Sequence, residues 1–414
     1  METTEKKILV IGNSVKDVAL IEKLLSDNSQ LKIYATSQSR FMNNDSVNFV
    51  DIREDNPSEL LEFAVKNEIA LTIATSYKAL NSDIVSYFTD NGQAIFAPEL
   101  NACDFALDKS LAKKFLYKMN IPTPRFAIYE KEQLALDYLK NTNYPVIISC
   151  AQNSEKGIDR FACPTEHIAK TFVGDLFYRN EPKIVIEEYV YGHEFTFYTI
   201  TDGYEVLPIT SVANYKFLKE GEGGLLTDGI GCYCHDYKVP DEIENELMSI
   251  ISDVILYCQR KKSPYVGILG VDCVLTREGR LSVLGFSPFF KDHDCDGVLK
   301  LINNNILDIF EACVNGIFAD EYDCLNISEK SCVSATLLSR YDNEPILGLE
   351  DIEHSSISYS NLKLKDDKFY TSKNQKLVLT SCANTLTRAR NNLYDDIEQV
   401  RYKSKIFRSD ICAE

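Results

Sequence analysis

Apolar positions in the first hundred residues follow two alternating rhythms. Short continuous runs at 7–12, 31–35, 69–74 and 94–96 read as buried strands. Between them, 15–25, 58–66 and 84–89 carry apolar residues at helical spacing. Strand–helix alternation predicts a parallel, doubly wound sheet, whose ligands sit at the carboxyl ends of the strands. An amphipathic helix is predicted over 109–119, stopped by Asn120 and the Pro122/Pro124 pair. From about 125 to 190 a small α/β unit follows, with strand-like runs at 145–149, 161–164 and 183–190 and a helix start at Thr165-Glu166-His167. Residues 194–212 read as two strands around Asp202-Gly203. The glycine-rich stretch 221–231 is expected to be a loop with unusual backbone angles. A long helix is predicted over 242–261, then a hairpin of 267–275 and 280–286 around Glu278-Gly279. The final block, 329–414, carries strands at 332–338 and 376–382 and a helix near 386–400. There is no internal repeat and no low-complexity tract.

Composition narrows the function classes. The chain has 414 residues, 45% hydrophobic and 26% charged, an ordinary globular balance with room for two to four domains. A formal charge of −18 repels a phosphate backbone, and there is no long Lys/Arg run, so nucleic acid is not an expected partner. The opening METTEKKILVIG lacks a signal peptide's apolar region, and no apolar stretch approaches the roughly 18 residues of a membrane span. Cytoplasmic localisation is expected. The 13 cysteines are scattered, and reduced, mostly buried thiols are expected. Cys232-Tyr233-Cys234-His235 has no second Cys/His pair at zinc spacing, so a metal clip is not expected there.

Several motifs stand in a fixed order along the chain. They are Lys7-Ile8-Leu9-Val10-Ile11-Gly12-Asn13; Phe96-Ala97-Pro98; Asp108-Lys109-Ser110-Leu111-Ala112-Lys113-Lys114-Phe115; and Ile121-Pro122-Thr123. After them come Ile186-Glu187-Glu188-Tyr189-Val190-Tyr191-Gly192-His193-Glu194, Thr227-Asp228-Gly229-Ile230-Gly231, the hairpin around Gly279, and Phe407-Arg408-Ser409-Asp410-Ile411. In this order the chain resembles, over nearly its whole length, the phosphoribosylamine–glycine ligase family of the ATP-grasp superfamily, as a divergent member. The resemblance implies an α/β fold: an N-terminal doubly wound domain over 1–101, an ATP-grasp domain over 102–325 with a lid subdomain at about 123–190, and a C-terminal α+β domain over 326–414.

The resemblance also implies a reaction. Enzymes of this family use ATP to phosphorylate the glycine carboxylate, and the amine of phosphoribosylamine attacks the acyl phosphate. Glycine and phosphoribosylamine would be the substrates, ATP and Mg²⁺ the cofactors, and a monomer the assembly. The backbone of Glu187, Glu188, Tyr189 and Val190 would hydrogen-bond the adenine edge. Glu194 would take the ribose hydroxyls, since a carboxylate accepts two donors at once. Lys109 would reach the phosphates as a mobile point charge. Lys156-Gly157 falls where the family has a phosphate-covering glycine-rich loop.

Other positions depart from the family. A phosphate-contacting lysine is replaced by Ser149. The metal-ligating Glu and Asn become Gly285 and Ser287, neither of which suits Mg²⁺. An arginine that steadies the acyl phosphate becomes Phe289, and the Gly-Asp-Pro-Glu loop becomes Lys291-Asp292-His293-Asp294. The first domain's ribose-phosphate turns read Ser14-Val15-Lys16-Asp17-Val18 and Ala35-Thr36-Ser37-Gln38. Against this trend, Asp272 stands where many other ATP-grasp enzymes place a metal-binding acid, and strand geometry lets it face the same cleft as Gly285. Asp292, Asp294 and Asp296 either rebuild a cation site with it or form an ordinary acidic loop. Two functions are therefore carried forward: ATP-dependent carboxylate–amine ligation, and a catalytically impaired paralogue that binds a nucleotide or a protein partner.

Overall fold

The short N-terminal apolar runs assemble into a five-stranded parallel sheet in the computed structural model, which describes residues 5–37, 46–152, 158–366 and 368–413. Its strands are β1 (Lys7–Ile11), β2 (Lys32–Ala35), β3 (Val47–Phe49), β4 (Leu71–Ala74) and β5 (Ile95–Phe96), in the order β3-β2-β1-β4-β5. Both faces are covered, as a parallel sheet requires. Ile8 and Val10 join a core with Ile200, Val298 and Phe310. Leu9 and Ile11 join a second core with Phe88, Phe105 and Val271. The expected doubly wound sheet is thus present, with Lys16 just beyond β1 and Tyr77 just beyond β4.

A second, four-stranded sheet contains β6 (Phe126–Tyr129), β7 (Val146–Cys150), β8 (Arg160–Cys163) and β9 (Ile184–Glu188), in the order β6-β9-β7-β8. The period of two divides its faces. Val146, Ile148, Ile184 and Ile186 pack on helices Glu132–Leu139 and Glu166–Tyr178 through Ala135, Leu139, Ala169 and Val173. Ile147 points the other way, into a cleft.

The opposite wall of that cleft is a nine-stranded sheet. It holds β10 (Gly192–Thr201), β11 (Val206–Lys219), β12 (Gly223–Cys234), β13 (Gly267–Thr276), β14 (Leu281–Ser287), β15 (Ser331–Ser339) and β16 (Ser355–Ser360). After a small hairpin of β17 (Lys363–Lys365) and β18 (Lys368–Tyr370), β19 (Lys376–Ala383) returns to it, and β20 (Lys405–Ile406) pairs with β15. The path is β14-β13-β10-β11-β12-β15-β19-β16, so hydrogen bonding runs unbroken across position 325.

Two expectations are corrected. The glycine-rich stretch 221–231 is not a loop. From Gly223 it is strand β12, paired with β11 through register shifts after Tyr215 and Phe217. Glycines accommodate those irregularities, because Gly224 and Gly229 have φ of 82° and 140°. At Gly229 the need is double, since a Cβ there would also strike the His293 ring. The second correction concerns thiols: Cys332 and Cys382 form a disulfide. They are fifty residues apart in sequence but directly opposite in the β15–β19 ladder, with Cα atoms 4.1 Å apart. Nine of the other cysteines are buried free thiols, Cys232 and Cys234 among them. Among the described residues, no helix is long and apolar enough to cross a membrane.

Candidate functional site

The cleft between the four-stranded and nine-stranded sheets encloses a cavity of about 240 Å³. Strand alternation fills its floor with polar groups. Glu194 on β10, Lys216 on β11 and Asp272 on β13 line it, and Thr196 and Asn214 lie two positions along β10 and β11 on the same faces. Thr196 is in register with Asp272, and its hydroxyl donates to Asp272 Oδ1 at 2.6 Å. Asn214 Nδ2 donates to Thr196 Oγ1 at 2.7 Å. Lys216 Nζ lies 2.9 Å from Glu194 Oε2. Burial alone would lower the Lys216 pKa, but Glu194 and Asp272 outweigh it and hold the lysine above its ordinary value. For Glu194, burial pushes upward and is outweighed by Lys216 and Arg160, so the carboxylate stays below its ordinary value.

The segment after β14 closes one end of the floor. Lys291 Nζ forms an ion pair with Asp272 and donates to Thr196 Oγ1 at 3.0 Å. Burial opposes ionisation of Asp272, yet Lys291 and Lys216 hold it well below the carboxylate range. The three aspartates that follow point to separate partners. Asp292 lies 2.7 Å from Lys376 Nζ and 3.9 Å from Lys16 Nζ. Asp294 accepts from the Tyr198 hydroxyl at 2.7 Å and from the Lys291 N–H at 2.8 Å. Asp296 pairs with Lys300 at 2.9 Å. Separately paired, and with Asp296 inside helix Cys295–Leu301, they do not gather into one cation site.

The hinge, the segment 189–191 that links β9 to β10, is built differently. Strand β9 ends at Glu188, so the backbone of Tyr189 and Val190 leaves the ladder at the cavity's edge. Glu187 is fixed by Lys113, whose Nζ lies 2.6 Å from its Oε1 and 3.0 Å from Thr123 Oγ1. Lys113 sits in helix Lys109–Lys118, which starts at an Asp108 cap accepting from Ser110 and Leu111 N–H groups. Half-buried Lys109 opens the helix at the cavity wall, and desolvation, then Arg160, lowers its pKa. Pro124, Ile147, Leu226, Val274 and Leu284 supply apolar walls.

Of the residues singled out from sequence, Lys109, Glu187, Glu188, Tyr189, Val190, Glu194, Asp272, Gly285, Ser287 and Phe289 all line this one cavity. Ser149 is fully buried in β7, with no hydrogen-bond partner for its hydroxyl among the described residues. Phe289 packs edge-on against Tyr77, and Lys16 Nζ lies 5.0 Å from its ring centre. Lys156-Gly157 and Gln38 lie outside the described residues. Sequence reasoning missed Arg160, Lys216, Lys376 and the inward aim of Lys291. For Lys216 a signal existed: Asn214 and Lys216 interrupt an apolar strand at a spacing of two.

Among the described residues the cavity offers cations to a polyanion but no cluster of acids placed for Mg²⁺. Seven lysine and arginine side chains line the cavity among the described residues, against a net charge of −18 for the chain. Seven Asp and Glu side chains line the cavity, and Glu187, Glu194 and Asp292 are paired with Lys113, Lys216 and Lys376; the acid at the expected metal position, Asp272, is paired with Lys291. Its register partner on β14 is Gly285, which has no ligating atom in its side chain. Among the described residues no group of three or more His, Cys, Asp or Glu side chains is placed to hold a metal ion.

Comparison with known proteins gives the same outline. The family model "Phosphoribosylglycinamide synthetase, N domain" matches residues 6–105, and that family's "ATP-grasp (A) domain" matches 107–295. A phosphoribosylamine–glycine ligase from Caldanaerobacter subterraneus subsp. tengcongensis is 28% identical over 98% of this chain and 99% of that protein. One from Clostridium acetobutylicum is 27% identical over the same shares. The crystal structure of the phosphoribosylamine–glycine ligase from Thermotoga maritima superposes with a TM-score of 0.79 at 16% identity, covering 98% of this chain and all of that one. The biotin carboxylase domain of Hydrogenobacter thermophilus 2-oxoglutarate carboxylase, solved with MgADP, ADP and bicarbonate, gives a TM-score of 0.72 at 12% identity over 97% and 91% of the two chains. Both structural matches speak to the fold.

Proposed function

The chain belongs to the phosphoribosylglycinamide synthetase family, and from that premise we propose that it carries out ATP-dependent carboxylate–amine ligation of the purine-pathway type, joining glycine to phosphoribosylamine. One observation carries the reading: the hinge, the Lys109 helix and the polar floor of the large sheet converge on a single cavity. Adenine enters between the apolar walls, with its edge against the backbone of Glu187, Glu188, Tyr189 and Val190. Glu194 faces the ribose. Lys109, Arg160 and Lys216 surround the phosphates and stabilise charge as it moves from the γ-phosphoryl group to the ADP leaving group. The glycine carboxylate oxygen takes the γ-phosphoryl group. The amine nitrogen then attacks the acyl carbon, phosphate departs and the nitrogen loses a proton. The two facing sheets exclude water that would hydrolyse the acyl phosphate. Mg²⁺, which the family resemblance implies, finds no fitting donor set among the described residues.

A second reading, nucleotide binding without ligation, draws on the Lys291–Asp272 pair and on Ser149, Gly285 and Phe289, which remove coordinating or charged groups from the reaction centre. A coupled ADP-release assay separates the two. Ligation requires ADP release that depends on both glycine and phosphoribosylamine. Tight ATP binding with no substrate-dependent ADP release would retire ligation and leave the second reading.

A further inference from the structure

We propose that the Lys291 ammonium takes the place of a divalent cation in this cleft, so that the chain binds the triphosphate of an adenine nucleotide without Mg²⁺. The inference rests on the nucleotide reading above and adds the mode of charge neutralisation to it. It starts from how Lys291 is held. Its side chain is only 15% exposed. Its backbone N–H donates to Asp294 Oδ1 at 2.8 Å, and its Nζ to Thr196 Oγ1 at 3.0 Å, while the same Nζ is paired with Asp272. Asn214 orients Thr196 in turn, at 2.7 Å. A lysine fixed at both ends within a polar network is a placed charge, not a surface side chain that happens to fold inward.

The space around it supports the same assignment. Gly285 is in register with Asp272, and a Cβ built on Gly285 meets no atom within 4 Å. The room for a second carboxylate exists, but no ligand occupies it. Mg²⁺ demands a near-octahedral oxygen set and sheds its waters reluctantly. To bind at Asp272 it would have to displace an ammonium already there, or sit beside it against like-charge repulsion. A nucleotide triphosphate, in contrast, meets Lys291 and Lys216 on the large-sheet side and Lys109 and Arg160 on the facing side of the same cavity. Ammonium and guanidinium groups bind phosphate oxygens directly, without a bridging ion.

The test is calorimetric titration of the full chain with ATP, once in EDTA and once in excess Mg²⁺. The expected result is a Kd in EDTA within about twofold of that in Mg²⁺, or tighter. Binding at least about tenfold tighter in Mg²⁺ overturns the inference while leaving the nucleotide reading intact. No ATP binding in either buffer removes both. Lys291→Met supplies a second arm: it frees Asp272 and is expected to weaken binding in EDTA by about tenfold, with part of the loss restored by Mg²⁺. Unchanged affinity of that variant in EDTA also overturns the inference. Should the variant not fold, the wild-type comparison decides alone, and Lys291→Arg, which keeps the charge, is expected to preserve the indifference to Mg²⁺.

Discussion

His293 lines the cavity, Asp294 follows it, and their surroundings shift the two in opposite directions. Burial, with Lys291 and Lys376 nearby, brings His293 down to about 3 from an ordinary 6.5. The ring is therefore neutral, and its Nε2 lies 2.9 Å from Asn214 Oδ1. Burial pushes Asp294 up to about 7 from an ordinary 3.8, although Lys291 and the Tyr198 hydroxyl pull it back. The linkage signs follow. Between the folded and unfolded values of His293 the unfolded chain binds more protons, so its contribution to stability grows as pH rises to 6.5 and is lost as pH falls. For Asp294 the folded chain binds more protons, so its contribution is present at low pH and is lost as pH rises through about 7. The two slopes oppose each other between about pH 4.5 and 6.5, and single substitutions should unmask each one. Relative to wild type, His293→Gln should tilt stability downward with rising pH by about 1.4 kcal/mol per unit, and Asp294→Asn upward by about as much. Denaturant melts at three pH values in this window measure both tilts. Slopes parallel to wild type in both variants would refute the assignment.

At the scale of elements, Lys113 joins a helix to a sheet. It is 1% exposed on helix Lys109–Lys118 and holds Glu187 on β9, so one buried charge ties the helix to the strand. Removing it leaves a largely buried carboxylate without its cation. Lys113→Met should therefore destabilise the chain by about 3 kcal/mol, and adding Glu187→Gln should restore part of the loss. Equilibrium denaturation of the two variants decides it, and additive losses would mean that the pair is not coupled. The helix and strand that Lys113 links were readable from sequence, because continuous apolar runs and helical spacing report which faces are buried. The pair itself was not, since contact depends on how separate elements dock. Stretch 221–231 was misread for a local reason: glycines that serve a bulged strand look like glycines that serve a loop. Asp272 and Gly285 could be placed on one cleft because they share a hairpin, whose register follows from its turn. Lys291 could not, because its aim depends on Tyr198 and Asp294 fixing the backbone of an irregular segment.

Across the whole molecule, both ends of the chain return to the cavity. Asp292 lies between Lys16, which follows the first strand, and Lys376, which opens β19 near the end of the large sheet. The Lys16 N–H also donates to Asp292 Oδ1 at 3.3 Å. Burial opposes ionisation of Asp292, but Lys16 and Lys376 outweigh it and hold the carboxylate well below its usual range. This one acid thus ties the parallel sheet, the segment after β14 and the C-terminal strands into a common wall. In a chain of net charge −18 the arrangement keeps two cations at the cavity wall. Removing Asp292 sets two lysines against each other with nothing between them. Lys376 is 37% exposed, so water screens its share, and the coupling between Asp292 and Lys376 should be modest, on the order of 1 kcal/mol. A double-mutant cycle of Asp292→Asn and Lys376→Met, followed by thermal and denaturant melts at low and high salt, measures it. The coupling should shrink as salt rises, since the pair opens to solvent on the Lys376 side. Losses that add fully at low salt would mean that Asp292 and Lys376 do not act as a pair, and that the C-terminal strands are held to the cavity by the continuous sheet alone.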